Sequence, residues 1–171
     1  YKPPPGKDPG YRGYPRILRD ELIERAGRYH DAGLQIAIHG NGDASIDDIL
    51  DAFEAAGVKG EDARPIVIHA QMTTEDQLDR MQELGVIPSF FVLHTFYWGD
   101  WHRDSVLGPQ RAENISPTGW VRERGLRFTT HHDAPVALPD SMRVLDTTVN
   151  RTTRSGRVLG ENQKVDVMTA L

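Results

Sequence analysis

A chain of 171 residues with 38% hydrophobic and 26% charged residues is long enough for one globular core and too apolar to stay disordered. Its net charge of -5 and pI near 5.8 argue against nucleic acid or an anionic membrane as a partner, and no apolar run approaches the length of a membrane span. With no Cys there are neither disulfides nor thiolate ligands, so any metal must rest on His and carboxylate.

Residues 1–14 carry Pro3, Pro4 and Pro5 in a row with interspersed Gly and Tyr, which predicts a lead-in loop. From Pro15 the pattern turns helical, with Leu18, Leu22, Ala26 and Tyr29 on one face and Gly33 as the stop. Leu34 to Ile38 reads as a parallel strand buried on both faces. It ends in His39-Gly40-Asn41-Gly42-Asp43, where Asp43 is placed to cap a helix whose stripe is Ile46, Ile49, Leu50 and Phe53. Pro65 to His69 is a second strand with a histidine at its tip. Thr74 and Gln77 form a capping-box pattern ahead of Leu78, Met81 and Leu84. Val86 to Phe91 is the third strand, and residues 92–113 read as a long aromatic loop. Ser116 to Arg124 predicts a helix and Leu126 to Thr130 the fourth strand, ahead of His131-His132-Asp133. Asp140 caps a last helix with Met142, Leu145 and Val149 on one face, and a further helix begins near Val165.

Strands that alternate with helices imply right-handed crossovers and a parallel sheet. His39 and His69 stand 30 residues apart, close to the roughly 250 residues shared over eight units in a (β/α)8 barrel. Four strands make half of such a barrel. The chain opens without Met and closes at Leu171 inside a helical pattern, so the expectation is a piece of a longer protein. It would comprise the lead-in 1–14, a half-barrel over 15–155, and the truncated start of a further segment over 156–171. No signal peptide opens it, which predicts a cytoplasmic protein.

A lone histidine at a strand end is more often bonded to backbone than to a metal. Two at the same place in successive units favour the ligand reading, because sites in this architecture collect at C-terminal strand ends. Asp133 can be a turn former, or a carboxylate that touches the metal and shuttles a proton. His131 and His132 cannot both face one site if the strand continues that far. His94 follows the third strand and could polarise a substrate, with Tyr97 and Trp98 as pocket wall or as loop anchors. Asp43 reads as a cap and an orienting partner, and His132 as a substrate contact. The set Gly40-Asn41-Gly42 lacks the third glycine of a dinucleotide fingerprint, where Ser45 stands.

Several motifs in order carry a resemblance: His39-Gly40-Asn41-Gly42-Asp43, His69-Ala70-Gln71, Pro88-Ser89-Phe90 with His94, Gly108 with Arg111-Ala112, Asp133-Ala134-Pro135-Val136, and Asn150-Arg151. Through them the chain resembles the amidohydrolase superfamily, in the family-3 branch that includes N-substituted formamide deformylase-like enzymes. The resemblance implies strands five to eight of a (β/α)8 barrel, with His39 and His69 as metal ligands and Asp133 as a metal-linked acid and base. It further implies one or two divalent ions, foremost zinc, and hydrolysis of an amide-like C–N bond by a metal-activated hydroxide on a small-molecule substrate. The family's remaining ligands, a His-x-His on strand one and a lysine or other bridging group on strand four, would precede Tyr1, so the isolated chain should be inactive. Ile68 stands where a Glu is often found, and His131-His132 replace the usual Gly-Ser. A nucleobase-type deaminase on the same barrel is the alternative, disfavoured because no Glu accompanies His39 or His69. A non-catalytic half-barrel scaffold is another, and its open edges predict a homo-oligomer or swapped dimer.

Overall fold

The computed structural model describes residues 3–11 and 13–171. The lead-in expected over 1–14 falls partly on Tyr1, Lys2 and Arg12, outside the described residues; the rest is turns and irregular chain. Helix α1 (Arg19–Asp31) leads to strand β1 (Ala37–Gly40), helix α2 (Asp43–Ala55), the short α3 (Gly60–Ala63), β2 (Ile66–His69), α4 (Glu75–Leu84) and β3 (Ile87–Phe90). Then come α5 (Leu93–Trp101), a π-helical turn (His102–Val106), α6 (Pro109–Ala112), α7 (Thr118–Glu123), β4 (Thr129–Thr130), α8 (Ser141–Asn150), a 3-10 turn (Glu161–Gln163) and α9 (Val167–Ala170). The strands form one parallel sheet in the order β1-β2-β3-β4. Among the described residues no helix is long and apolar enough to cross a membrane.

The core lies between this sheet and the helices behind it. Ile46, Ile49, Leu50 and Phe53 of α2 and Leu78 and Met81 of α4 are buried in one cluster with Val67 and Phe90 of the sheet. Each such side chain contributes about 1.5–3 kcal/mol by leaving water. The capping box of α4 forms as the sequence predicts, with the Thr74 hydroxyl accepting from Gln77 N–H and the Gln77 side chain accepting from Thr74 N–H. Gln77 Nε2 also donates to the Asp43 carbonyl and the Asp47 carboxylate, so the start of α4 is tied to the start of α2.

Several expectations are corrected. The first helix starts at Arg19 rather than at Pro15, and Leu18 and Tyr29 of its expected buried stripe are exposed. β1 is not buried on both faces, because it is the sheet edge. Leu34, Ala37 and His39 are exposed, and an open groove of about 840 Å³ lies between it and α1, lined by Leu22, Tyr29, Leu34, Ile36, Ile38 and Ile49. β4 is shorter than the sequence suggests. Ile87 N–H bonds the Pro65 carbonyl, so by strand alternation the nitrogen of Pro88 faces β4. That nitrogen has no proton, and the β3–β4 ladder begins only at Ser89.

The stretch 92–113 is not a loop but mostly helical. Its aromatic-rich sequence shows no 3.6-residue apolar stripe, and helix α5 is held by tertiary contacts instead. The chain after α8 returns against it: Arg154 N–H donates to the Phe96 carbonyl, and Asp100 accepts from Thr153 and Ser155. A Cβ on Gly99 would stand 2.9 Å from Thr153 and 3.0 Å from Leu159, so glycine permits this approach. In α8 the buried face is Val144, Thr147 and Thr148, while Met142 is exposed. The two threonine hydroxyls donate to the Arg143 and Val144 carbonyls, which lets their methyl groups enter the core. Asp43 is the first residue of α2 rather than its cap, which is Gly42.

Arg151 fastens the returning segment. Its side chain is fully buried, and Nε, Nη1 and Nη2 donate to the carbonyls of Leu159 (2.8 Å), Ser116 (3.0 Å) and Ile115 (2.6 Å). Truncation would take the donor from the buried Leu159 and Ile115 carbonyls, while the Ser116 carbonyl would keep its bond from Thr118 N–H (2.8 Å). Arg151→Ala is expected to lower unfolding free energy by about 3 kcal/mol or more. Urea denaturation checks this, and a loss below about 1 kcal/mol would contradict the assigned role.

Candidate metal centre

His69 is the hub of the site. It ends β2 with φ 70 and is followed by Ala70 with φ 46, so the chain turns sharply where the strand stops. The turn is held by Ala70 N–H to the Gly40 carbonyl (3.0 Å), Met72 N–H to the Asn41 carbonyl (2.9 Å), and Ser116 N–H to the Gln71 carbonyl (2.8 Å). The His69 ring then stands 4.5 Å from that of His39, nearly perpendicular, 5.1 Å from His131 and 5.9 Å from His94. His131 Nε2 lies 3.2 Å from His69 Nδ1.

His69, His131 and Asp133 each present a ligand-capable atom within 4.8 Å of the others. Two nitrogens on one tetrahedral zinc are about 3.3 Å apart, given Zn–N bonds of about 2.05 Å. The separation of the two imidazoles is close to that, and two nitrogens with a carboxylate suit a borderline divalent ion. Burial first, and the neighbouring His39 next, push His69 down to about 4, against an opposing pull from Asp133. Burial also lowers His131. Both rings are therefore neutral near pH 7 and have a lone pair to give. The residues present fit a divalent cation.

Around this centre the sequence candidates separate. His39 joins it through its ring contact with His69. His94, second residue of α5, packs on Phe91 (4.6 Å) and lies 6.1 Å from Trp98. Its Nδ1 is buried without a hydrogen-bond partner, and burial first, with His102 next, pushes it down to about 3. Trp98 thus packs beside His94 and Phe91. Tyr97 makes its ring contacts with Phe96 and Trp98, and the structure does not bring it to the cluster. His132 faces away toward Ser141 Oγ (3.3 Å), because alternate residues of β4 and its extension point to opposite sides. Asp43, expected to orient a histidine, instead pairs with Arg111 (2.6 Å). His131 was foreseeable only as one of two alternatives, and strand parity chose it. The sequence reading missed His102, whose Nε2 lies 3.0 Å from Gln71 Nε2 and whose ring is 6.0 Å from His94. Nothing in its spacing marked it, because the stretch 92–113 carries no helical stripe and His102 opens the π-helical turn after α5.

A profile described as the amidohydrolase family matches residues 4–171. The chain belongs to the amidohydrolase family, in its family-3 branch. It is 29% identical over 161 residues to the N-substituted formamide deformylase of Arthrobacter pascens, a match covering 90% of this chain and 28% of that protein. Two crystal structures of uncharacterized metal-dependent hydrolases are similar to it. That from Pyrococcus furiosus has TM-score 0.75 and 28% identity, covering 94% of this chain and 31% of the other. That from Pyrococcus horikoshii OT3 has TM-score 0.77 and 29% identity, covering 94% and 32%. The chain spans under a third of the length of these relatives.

The lowered histidines give the chain a defined pH response. In the unfolded chain His69 and His94 take up protons near pH 6.5, whereas in the folded chain they do so only near 4 and 3. The unfolded state binds more protons between those values, so stability is expected to fall as pH drops from about 6.5 toward 4. Urea unfolding of the metal-free chain at pH 7 and pH 4.5 checks this, and equal midpoints would contradict it.

Proposed function

We propose that this chain is the strand-five-to-eight portion of a (β/α)8 amidohydrolase that hydrolyses a C–N amide-like bond in a small molecule, with zinc held by His69, His131 and Asp133 and bordered by His39. The observation that carries the reading is the convergence of two neutral imidazoles and a carboxylate within 4.8 Å at the C-terminal side of a parallel sheet. The exposed edge of β1 and the apolar groove beside it suit cover by a further βα unit or by a second copy. The deformylase relative supports a C–N substrate.

A bound divalent cation would polarise a carbonyl and render a water more acidic. The Asp133 carboxylate would take a proton from the attacking water as the water oxygen bonds to the carbonyl carbon, and would deliver that proton to the amine nitrogen as the C–N bond breaks. His94, kept neutral by burial, carries one ring proton and can donate it in a hydrogen bond to the substrate oxygen as charge develops there. Phe91 and Trp98 pack around His94 and keep bulk water from that side, which strengthens each polar interaction. The isolated chain is proposed to bind the cation without turnover.

In the full-length protein, Asp133→Asn is expected to retain bound zinc and to lose about 10²–10⁴-fold in hydrolysis of N-substituted amides. Metal analysis alongside the rate assay tests this. Turnover within a factor of about three of wild type would overturn the assignment of Asp133 as proton carrier.

A further inference from the structure

Behind the cluster His131 is gripped by β3. Ser89 and Thr129 are register partners on adjacent parallel strands, and His131 follows Thr129 by two residues, so its ring falls on the same side as both hydroxyls. Thr129 Oγ1 donates to Ser89 Oγ at 2.8 Å, and Ser89 Oγ lies 3.1 Å from His131 Nδ1. A serine hydroxyl has one proton. The bond to Thr129 uses the threonine's proton and one serine lone pair, which leaves Ser89 Oγ both a proton to give to His131 Nδ1 and a second lone pair with which to accept from it. Where Ser89 donates to Nδ1, the neutral ring carries its proton on Nε2, and Nε2 then donates to His69 Nδ1 across 3.2 Å. In that arrangement a single direction runs through all three bonds, from Thr129 through Ser89 and His131 to His69.

Holding a cation through Nε2 requires that atom's lone pair, so the ring proton must then stand on Nδ1. His131 has one ring proton in either case and its charge does not change. What changes is the demand on Ser89, which must accept where it had donated. A hydroxyl meets both demands by rotating; a carboxylate could only accept, and an alanine could do neither.

We infer that Ser89 is a positioning residue that holds the His131 ring in both tautomers, keeping Nε2 aimed at the cluster with or without a cation. The inference rests on the metal reading above and adds to it a residue outside the ligand set. Phe91, two residues beyond Ser89, stacks on His131 at 5.8 Å and 20° between planes, so ring tilt is set by packing and rotation within the plane by the hydroxyl.

The test uses this chain with Ser89→Ala, Ser89→Thr and His131→Asn variants, each confirmed folded by near-UV circular dichroism. Without metal, long-range ¹H–¹⁵N spectra should show the Nε2–H tautomer of His131 in wild type and in Ser89→Thr, and a mixture in Ser89→Ala. Zinc titration should show Ser89→Ala binding about 10–100-fold more weakly than wild type, Ser89→Thr restoring affinity, and His131→Asn weakest. A role confined to folding would lower the melting temperature without moving tautomer or affinity. Ser89→Ala matching wild type in both readouts overturns the inference while cation binding stands. A wild-type chain that takes up no zinc overturns the metal reading and the loaded half of this inference, and the tautomer spectra still decide the metal-free half.

Discussion

The site depends on a backbone turn. His69 and Ala70 both occupy left-handed conformations, at φ 70 and 46, which non-glycine residues adopt at about 1–2 kcal/mol each. The surroundings hold them there. Backbone bonds from the Gly40, Asn41 and Gln71 positions pin the turn on both sides, and the Thr73 hydroxyl donates to the Ala70 carbonyl at 2.7 Å. Without that turn β2 would continue straight, and the His69 ring would leave the space shared with His39, His94 and His131. Asp133, at φ 58, shows the same economy on the far strand. Strain concentrated at the strand tips is what converts a parallel sheet into a converging set of side chains.

Packing then sets the chemistry of those groups. Burial keeps His69, His94, His102 and His131 below their ordinary range, so the centre presents neutral rings rather than mutually repelling imidazolium ions. The Phe91 ring packs near three of them, His69, His94 and His131. The wall behind His94 exists because α5 is fixed from outside by the chain after α8. Arg151 locks that chain to the carbonyls before α7, and Asp100 gathers Thr153 and Ser155. The line of support thus runs from a buried guanidinium far along the chain to an imidazole at the site.

Membership in the amidohydrolase family and likeness to metal-dependent hydrolases give this arrangement a chemical context. The pairing of His131 with Ser89 gives it a local character. Sequence positions 131 and 132 carry histidines where the resemblance leads one to expect smaller residues, and the structure turns one of them inward and one outward. His131 thereby brings a further imidazole beside His69, whose ring also stands 4.5 Å from that of His39.

Much was written in the residues themselves. Alternating apolar strands and amphipathic helices specified the parallel sheet, because burial of Val67 or Phe53 obeys local periodicity. The Thr74–Gln77 box and Gly85 marked α4 through backbone chemistry that needs no distant partner. The strand-tip positions of His39 and His69 followed from the same periodicity. Tertiary structure decided what depends on residues far apart. Pro88 shortened β4 only because a partner strand lies across from it. Helix α5 lacks a stripe of its own and forms because Thr153 and Leu159 close over Gly99. Which of His131 and His132 meets the cluster was settled by the register of Thr129 with Ser89. Periodicity is a property of neighbours in the chain; convergence of strand-tip side chains is a property of strands brought together by the core.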